Sequence, residues 1–121
     1  MADDGYTHIT NTDYSPVAIE RLRSLYPSYN DRLSYAVADA RSMPQYADGC
    51  FHGVLDKGTL DALLCGDTDE RDAAALLGEV WRLLAPGAAY VMITSGVLLQ
   101  TRLDFVCLCL RHNAWCALQM H

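Results

Sequence analysis

Positive charge is scarce in this sequence. Nine Lys and Arg residues stand against 15 Asp and Glu, which gives the 121 residues a formal net charge of −6 at pH 7. A protein that binds the nucleic-acid backbone needs a basic surface, so this composition argues against a nucleic-acid partner. An acidic surface instead favours basic protein partners.

Long apolar runs are also lacking. The longest, residues 105–110, is far shorter than the roughly 20 residues that cross a bilayer, and we expect no membrane association. Residues 1–6 contain two aspartates and no apolar core, unlike a secretory signal. Five cysteines, an odd number, fit a reducing compartment better than a disulfide framework. The sequence therefore predicts a cytoplasmic protein.

The order of apolar segments predicts an α/β fold. Hydrophobic residues make up 51% of the chain, which is enough for a folded globular domain. Extended runs alternate with helical spacing in the order β-α-β-β-(short α)-α-β. This order favours a Rossmann-like, mostly parallel sheet with helices on both faces. The predicted strands are 7–13, 33–38, 51–56 and 88–94.

Capping signals mark two of the helices. Ser15 followed by Pro16 is typical of a helix N-terminus. A long helix is predicted before Pro86, and we expect its apolar side chains to lie in the core. These side chains are Ala73, Leu76, Leu77, Val80, Trp81 and Leu84.

The tail is compatible with a helix over 97–110 and a closing edge strand over 115–120. It also contains metal-ligand residue types at close spacing, Cys107, Cys109, His112 and Cys116. Structural zinc sites usually present C-x2-C pairs, and two of these cysteines lie in a leucine-rich run. We therefore expect packing residues and no metal site. Cys50 and Cys65 are likewise predicted to be packing residues.

Three predicted strands end in an acid: Asp13, Asp39 and Asp56. Open α/β sheets bind ligands just outside the carboxyl ends of their strands. One carboxylate there accepts hydrogen bonds from both hydroxyls of a ribose. Any single aspartate is equally compatible with a turn or a helix cap, but three at equivalent strand ends favour a nucleoside crevice.

Four segments resemble successive motifs of class I (seven-β-strand) S-adenosylmethionine-dependent methyltransferases. They read N-T-D-Y-S-P, A-D-A-R-S-M-P, D-K-G-T-L-D-A-L-L and E-V-W-R-L-L-A-P-G-A-A-Y-V-M-I-T-S. The third is the most specific, and it is similar to the branch that contains the eukaryotic elongation factor 1-alpha lysine methyltransferases. The resemblance extends from about Ile9 to the end of the chain. It implies S-adenosylmethionine as cofactor and a protein lysine as methyl acceptor.

The resemblance also implies roles for residues that bind the cofactor. Asp13 would hold the ribose diol, and Tyr14 would lie against the adenine. Asp39 would accept from the adenine amino group, with the backbone of Ala40 beside it. Lys57 would serve the methionine carboxylate, either directly or by holding that pocket's hydrogen bonds.

Two acids are implied on the catalytic side. Asp56 and Asp61 would lie nearest the transferring methyl and orient the acceptor. For Asp61 a structural alternative is favoured, because it is expected to be an exposed acid in the first turn of a helix that begins near Gly58.

One family feature is missing. Members of this class begin with a central strand and a glycine-rich loop, whereas residues 1–8 contain a single glycine and no apolar run. We therefore predict that residues 1–121 form a partial methyltransferase domain with a gap in mid-sheet, which binds cofactor weakly or not at all. The alternatives are a non-catalytic, Rossmann-like interaction module and a nicotinamide-dependent enzyme. The D-K-G-T-L-D-A-L-L run and the missing nucleotide loop count against the second of these.

Overall fold

The computed structural model describes residues 1–29, 31–65 and 70–94. The elements predicted over 97–110 and 115–120 lie outside these ranges, as does the cluster of cysteines and histidine in the tail. The chain divides into two compact units, one of residues 1–43 and one that begins at Pro44. Each unit has its own pair of strands and its own helices.

The first unit contains two parallel strands and one helix. Strand β1 spans Ile9–Asp13, helix α1 spans Pro16–Leu25 and strand β2 spans Leu33–Val37. The strands pair in register from Ile9 opposite Leu33 to Asp13 opposite Val37. Short 3-10 turns lie at Ala2–Asp4 and Pro27–Tyr29. The predicted strands and helix are present, with strand ends shifted by one or two residues.

The start of α1 forms as its sequence predicts. Ser15 has an extended backbone, and its hydroxyl accepts a hydrogen bond from the Ala18 amide at 3.3 Å, with Pro16 at the first helical position. Ile19, which is 1% exposed, faces the core of the unit. The Arg23 guanidinium donates to the Tyr35 carbonyl at 2.8 Å and ties the helix to β2.

The second unit repeats the strand–helix–strand plan. Strand β3 spans Phe51–Lys57, α2 spans Thr59–Cys65, α3 spans Glu70–Leu83 and β4 spans Leu84–Ile93. Strands β3 and β4 are parallel and paired from Gly53 opposite Ala89 to Lys57 opposite Ile93. The register is irregular before Gly53, and the predicted breaker Pro86-Gly87 lies in this stretch, with Gly87 at φ +79°.

The buried stripe of α3 differs from the prediction at its C-terminal end. Trp81 is 40% exposed, so the prediction that it lies in the core is wrong. Leu84 lies beyond the helix, as the half-buried first residue of β4. Because each residue turns a helix by about 100°, Leu83 continues the stripe three residues after Val80 and Trp81 points sideways. The buried residues of α3 are Ala73, Leu76, Leu77, Val80 and Leu83.

The prediction that Cys50 and Cys65 are packing residues is wrong, because both side chains are exposed. Cys50 lies in the loop that leads into β3, and Cys65 is the last residue of α2. Both cysteines therefore lie at the end of an element, where a side chain does not have to pack against the sheet.

Parallel strands connected by helices confirm the predicted Rossmann-like α/β class. Within the described residues the strands form two separate pairs, β1–β2 and β3–β4, and no strand pairing joins them. None of the helices in these ranges is long and apolar enough to cross a bilayer.

We expect Leu76→Ala to lower the free energy of unfolding by about 2–5 kcal/mol, because the 2% exposed side chain leaves a cavity beneath α3. The measurement is urea unfolding followed by circular dichroism. The same change at Leu25, which is 58% exposed, is the control and should cost less than about 1 kcal/mol. Equal effects would contradict the assignment of Leu76 to the core.

Candidate functional site

Acidic side chains lie where strands end, as predicted. In the first unit Asp13 is the last residue of β1 and pairs with Val37, the last residue of β2. Asp39 lies two residues after Val37. Carboxyl ends of parallel strands meet at one edge of a sheet, so Asp13 and Asp39 share that edge. In the second unit Asp56 and Lys57 end β3 beside the end of β4.

The Asp13 carboxylate forms the turn into α1. Its Oδ1 accepts from the Ser15 amide at 2.8 Å. Its Oδ2 accepts no hydrogen bond from residues 1–29, 31–65 or 70–94, so one oxygen builds the turn and the other keeps its capacity to accept. Tyr14 is 82% exposed, which leaves its ring face accessible.

The Asp39 carboxylate is held by Arg41, a contact that sequence reasoning missed. The guanidinium donates to Oδ2 at 2.7 Å from Nη2 and to both oxygens from Nε, and the Arg41 amide donates to Oδ1 at 2.9 Å. These hydrogen bonds lower the pKa of Asp39 below its ordinary value. The carboxylate therefore stays ionised, and both of its oxygens act only as hydrogen-bond acceptors. The A-D-A-R motif, with the acid and the arginine two residues apart, was the sequence feature that could have predicted this contact.

The Asp56 carboxylate organises the start of α2. It is 7% exposed and accepts from the Thr59 amide at 2.9 Å, the Leu60 amide at 3.1 Å and the Tyr90 hydroxyl at 2.9 Å. The two amides belong to the first turn of α2, whose N–H groups have no partner within the helix. Asp56 thus accepts from the amides that would otherwise lack a partner at the start of α2, independently of any role in a ligand site.

Tyr90 was not predicted from the sequence. Its burial, together with the negative charge of Asp56 and the hydrogen bond to it, raises the pKa of Tyr90 well above its ordinary range. The phenol therefore remains a hydrogen-bond donor. The alternation of strand residues puts Tyr90 and Asp56 on one face, but only the pairing of β3 with β4 brings them together.

Asp61 is half-buried. The alternative to a catalytic role, an acid that stabilises the first turn of a helix, predicted that it would be exposed. It lies in the first turn of α2, and the Thr94 hydroxyl donates to its Oδ1 at 2.7 Å. Lys57 is exposed, and its ammonium forms no ion pair with the part of the chain that the structure describes. Gly58, at φ +81°, turns the chain from β3 into α2 and donates its amide to Ile93.

Each unit offers polar groups at the ends of its strands. An ionised Asp39, an open oxygen of Asp13 and an exposed Tyr14 ring offer acceptors and a stacking surface in the first unit. In the second unit Lys57 offers an exposed cation. Within the described ranges no three His, Cys, Asp or Glu side chains come together as a metal site.

Comparison with known sequences gives a family match. A family model with the description "Methyltransferase domain" matches residues 1–92. The mouse EEF1A lysine methyltransferase 4 is 34% identical over 99 residues, which cover 75% of this chain and 38% of that protein. The bovine eEF1A lysine and N-terminal methyltransferase is 36% identical over 96 residues, covering 78% of this chain and 14% of the relative. The chain thus spans well under half the length of these relatives.

Two solved structures have a similar fold. The PH0226 protein from Pyrococcus horikoshii OT3 superimposes with a TM-score of 0.66 at 22% identity, covering 88% of this chain and 45% of that protein. The [4+2]-cyclase SpnF gives a TM-score of 0.57 at 23% identity, covering 72% of this chain and 30% of the cyclase. Since one of them is named a cyclase, this fold alone does not specify the reaction.

We expect Gly58→Ala to lower the free energy of unfolding by about 1–2 kcal/mol, because a side chain disfavours φ +81° even though an added Cβ would meet no atom within 4 Å. The matched control is Gly78→Ala in the exposed interior of α3, where the added methyl is equally unhindered. That change should stabilise the protein by about 0.5–1 kcal/mol in urea unfolding. The same sign for both variants would contradict the positive φ of Gly58.

The titration of Asp39 should depend on Arg41. Because the pKa of Asp39 is lowered in the folded protein, the ion pair contributes stability above the ordinary pKa, and this stability is lost as the pH falls through the lowered value. In Arg41→Gln the midpoint of the Asp39 carboxyl signal, followed by NMR, should rise towards the ordinary 3.8. An unchanged midpoint would show that Arg41 does not hold the carboxylate in solution.

Proposed function

Because the chain belongs to the methyltransferase-domain family whose model matches residues 1–92, we propose that it transfers a methyl group from S-adenosylmethionine to a lysine side chain of a protein. The observation that carries the proposal is the placement of Asp13 and Asp39 at one edge of a parallel strand pair, in a chain of this family. This is where open α/β sheets bind ligands, and the two side chains suit a nucleoside.

In this proposal the first unit binds the adenosine part of the cofactor. The open oxygen of Asp13 accepts from the ribose hydroxyls, and the ring of Tyr14 lies against the adenine. Asp39 accepts from the adenine amino group, beside the backbone of Ala40. The hydrogen bonds from Arg41 support this role, because they keep the Asp39 carboxylate ionised and fix its plane.

We assign Lys57, the last residue of β3, to the methionine carboxylate, because it carries an exposed cation. S-adenosylmethionine supplies an already activated methyl group, so the protein has mainly to align a deprotonated amine. We assign Asp56 and Asp61 to the acceptor side, where carboxylates orient the amine. Asp56 acts there by fixing the first turn of α2, whose Thr59 and Leu60 amides donate to its carboxylate.

The names of the relatives support the proposed acceptor. The mouse and bovine proteins are named for lysines of eEF1A, and we propose a protein lysine of the same kind here. The net charge of −6 supports a basic protein partner. We also propose a cytoplasmic location, because the exposed thiols of Cys50 and Cys65 suit a reducing compartment.

The test is isothermal titration calorimetry with S-adenosylhomocysteine. We expect weak binding, and we expect Asp39→Ala to weaken it further by at least about tenfold, the equivalent of one lost charge-assisted hydrogen bond. Asp31→Ala is the matched control, since Asp31 is an exposed acid of the same unit and should leave the affinity unchanged. Equal affinities for both variants would contradict the role of Asp39.

A second measurement addresses the acceptor. The chain is incubated with eEF1A and S-adenosylmethionine with an isotopically labelled methyl group, and methylated lysines are identified by mass spectrometry. The proposal is supported if a lysine of eEF1A carries the label after incubation with the unmodified chain and carries none after incubation with Asp39→Ala. The absence of both heat and label would favour the non-catalytic interaction module.

A further inference from the structure

The turn between β3 and α2 is tied on one side to β4 and on the other to Thr94, the residue that follows β4. Before the turn, Asp56 accepts from the Tyr90 hydroxyl at 2.9 Å; after it, Asp61 accepts from the Thr94 hydroxyl at 2.7 Å. Between these two acids lies Lys57, the exposed cation of the candidate site. We propose that Tyr90 and Thr94 are positioning residues, whose hydroxyls hold the turn in the conformation that presents Lys57 to its ligand.

Strand pairing places the Tyr90 hydroxyl on the Asp56 carboxylate. Tyr90 pairs with Val54, and Met92 pairs with Asp56, so Tyr90 lies diagonally across from the acid. The alternation of side chains puts Tyr90 and Asp56 on the same face. Asp56 is 7% exposed, and a buried acceptor that loses a donor is penalised because water does not replace it. A phenylalanine at position 90 would fill the same space and remove this donor alone.

Thr94 anchors the other side of the turn. It follows Ile93, which pairs with Lys57 and whose carbonyl accepts from the Gly58 amide at 3.2 Å. The end of β4 therefore runs alongside the turn, and the Thr94 side chain reaches Asp61 in the first turn of α2.

The turn needs such anchors because of its glycine. Gly58 adopts φ +81° and has no side chain to restrict it, so its backbone has more accessible conformations than that of any other residue type. Hydrogen bonds on either side of the turn restrict these conformations. That the ligand is the methionine end of the cofactor rests on the proposed function, but the restriction of the turn does not.

The experiment uses the fact that Lys57 is the only lysine of the chain. Protein labelled with ¹³C,¹⁵N-lysine then gives one lysine signal, which reports on the turn. Amide hydrogen exchange at Thr59 and Leu60 reports on the Asp56 hydrogen bonds. In Tyr90→Phe and in Thr94→Val we expect the lysine signal to shift and these amides to exchange about tenfold faster, while amides of α3 keep their rates.

Two controls separate positioning from general stability. Tyr46→Phe removes a hydroxyl that forms no hydrogen bond with the described residues, from a ring that packs on Phe51, and should leave all signals unchanged. Thr94→Ser keeps the hydroxyl and should restore the exchange rates lost in Thr94→Val. Equal acceleration across α3, unchanged rates at Thr59 and Leu60, or failure of the serine to restore them would overturn the positioning role.

Affinity for S-adenosylhomocysteine links the turn to the ligand. We expect about tenfold weaker binding by Tyr90→Phe than by Tyr46→Phe. Unchanged affinity in a variant whose turn has loosened would overturn this link. If the unmodified chain does not bind S-adenosylhomocysteine, the proposed function fails, and the lysine signal and the exchange rates still decide whether Tyr90 and Thr94 position the turn.

Discussion

A buried carboxylate at the end of β3 is the constraint on which the second unit depends. Asp56 is 7% exposed, and such a polar group is tolerated only when it is hydrogen-bonded. Two amides of α2 and the hydroxyl of Tyr90 meet this requirement together. The two amide hydrogen bonds define where α2 begins, and the Tyr90 hydroxyl ties the carboxylate to β4, which pairs with β3. Satisfying one side chain thus determines the geometry of the strand–turn–helix segment that carries the candidate site.

The acids at the strand ends of the first unit are held in a different way. There the acids are more accessible, and their orientation comes from short-range partners: the Ser15 amide for Asp13 and Arg41 for Asp39. Exposed ion pairs contribute little to stability, because water screens them. The value of the Asp39–Arg41 pair therefore lies in the direction and charge of the carboxylate. A charged and oriented acceptor at a sheet edge is suited to a ligand with N–H donors.

Sequence reasoning was accurate where the signal is local. The capping pair Ser15-Pro16, the helical spacing of Leu76 and Leu77, and the acids that end the strands all depend on residues within one element. It was wrong for Trp81 and for the two exposed cysteines. The helical stripe is wide enough that residues at its margin, such as Trp81, are assigned to the core or to solvent only by what packs against them. The choice between a catalytic and a structural Asp56 likewise depends on partners distant in the chain.

By itself the sequence determined the element order, the Rossmann-like class and the resemblance to methyltransferases, because periodicity and motif spacing are properties of neighbouring residues. Only the tertiary structure decided that Tyr90 donates to Asp56, that Thr94 donates to Asp61 and that Arg82 binds the loop before β3 through Tyr46 and Asp48. These contacts join residues 33 to 36 positions apart. The pairing and register of β3 with β4 bring such residues within hydrogen-bonding distance, and no local pattern specifies that register.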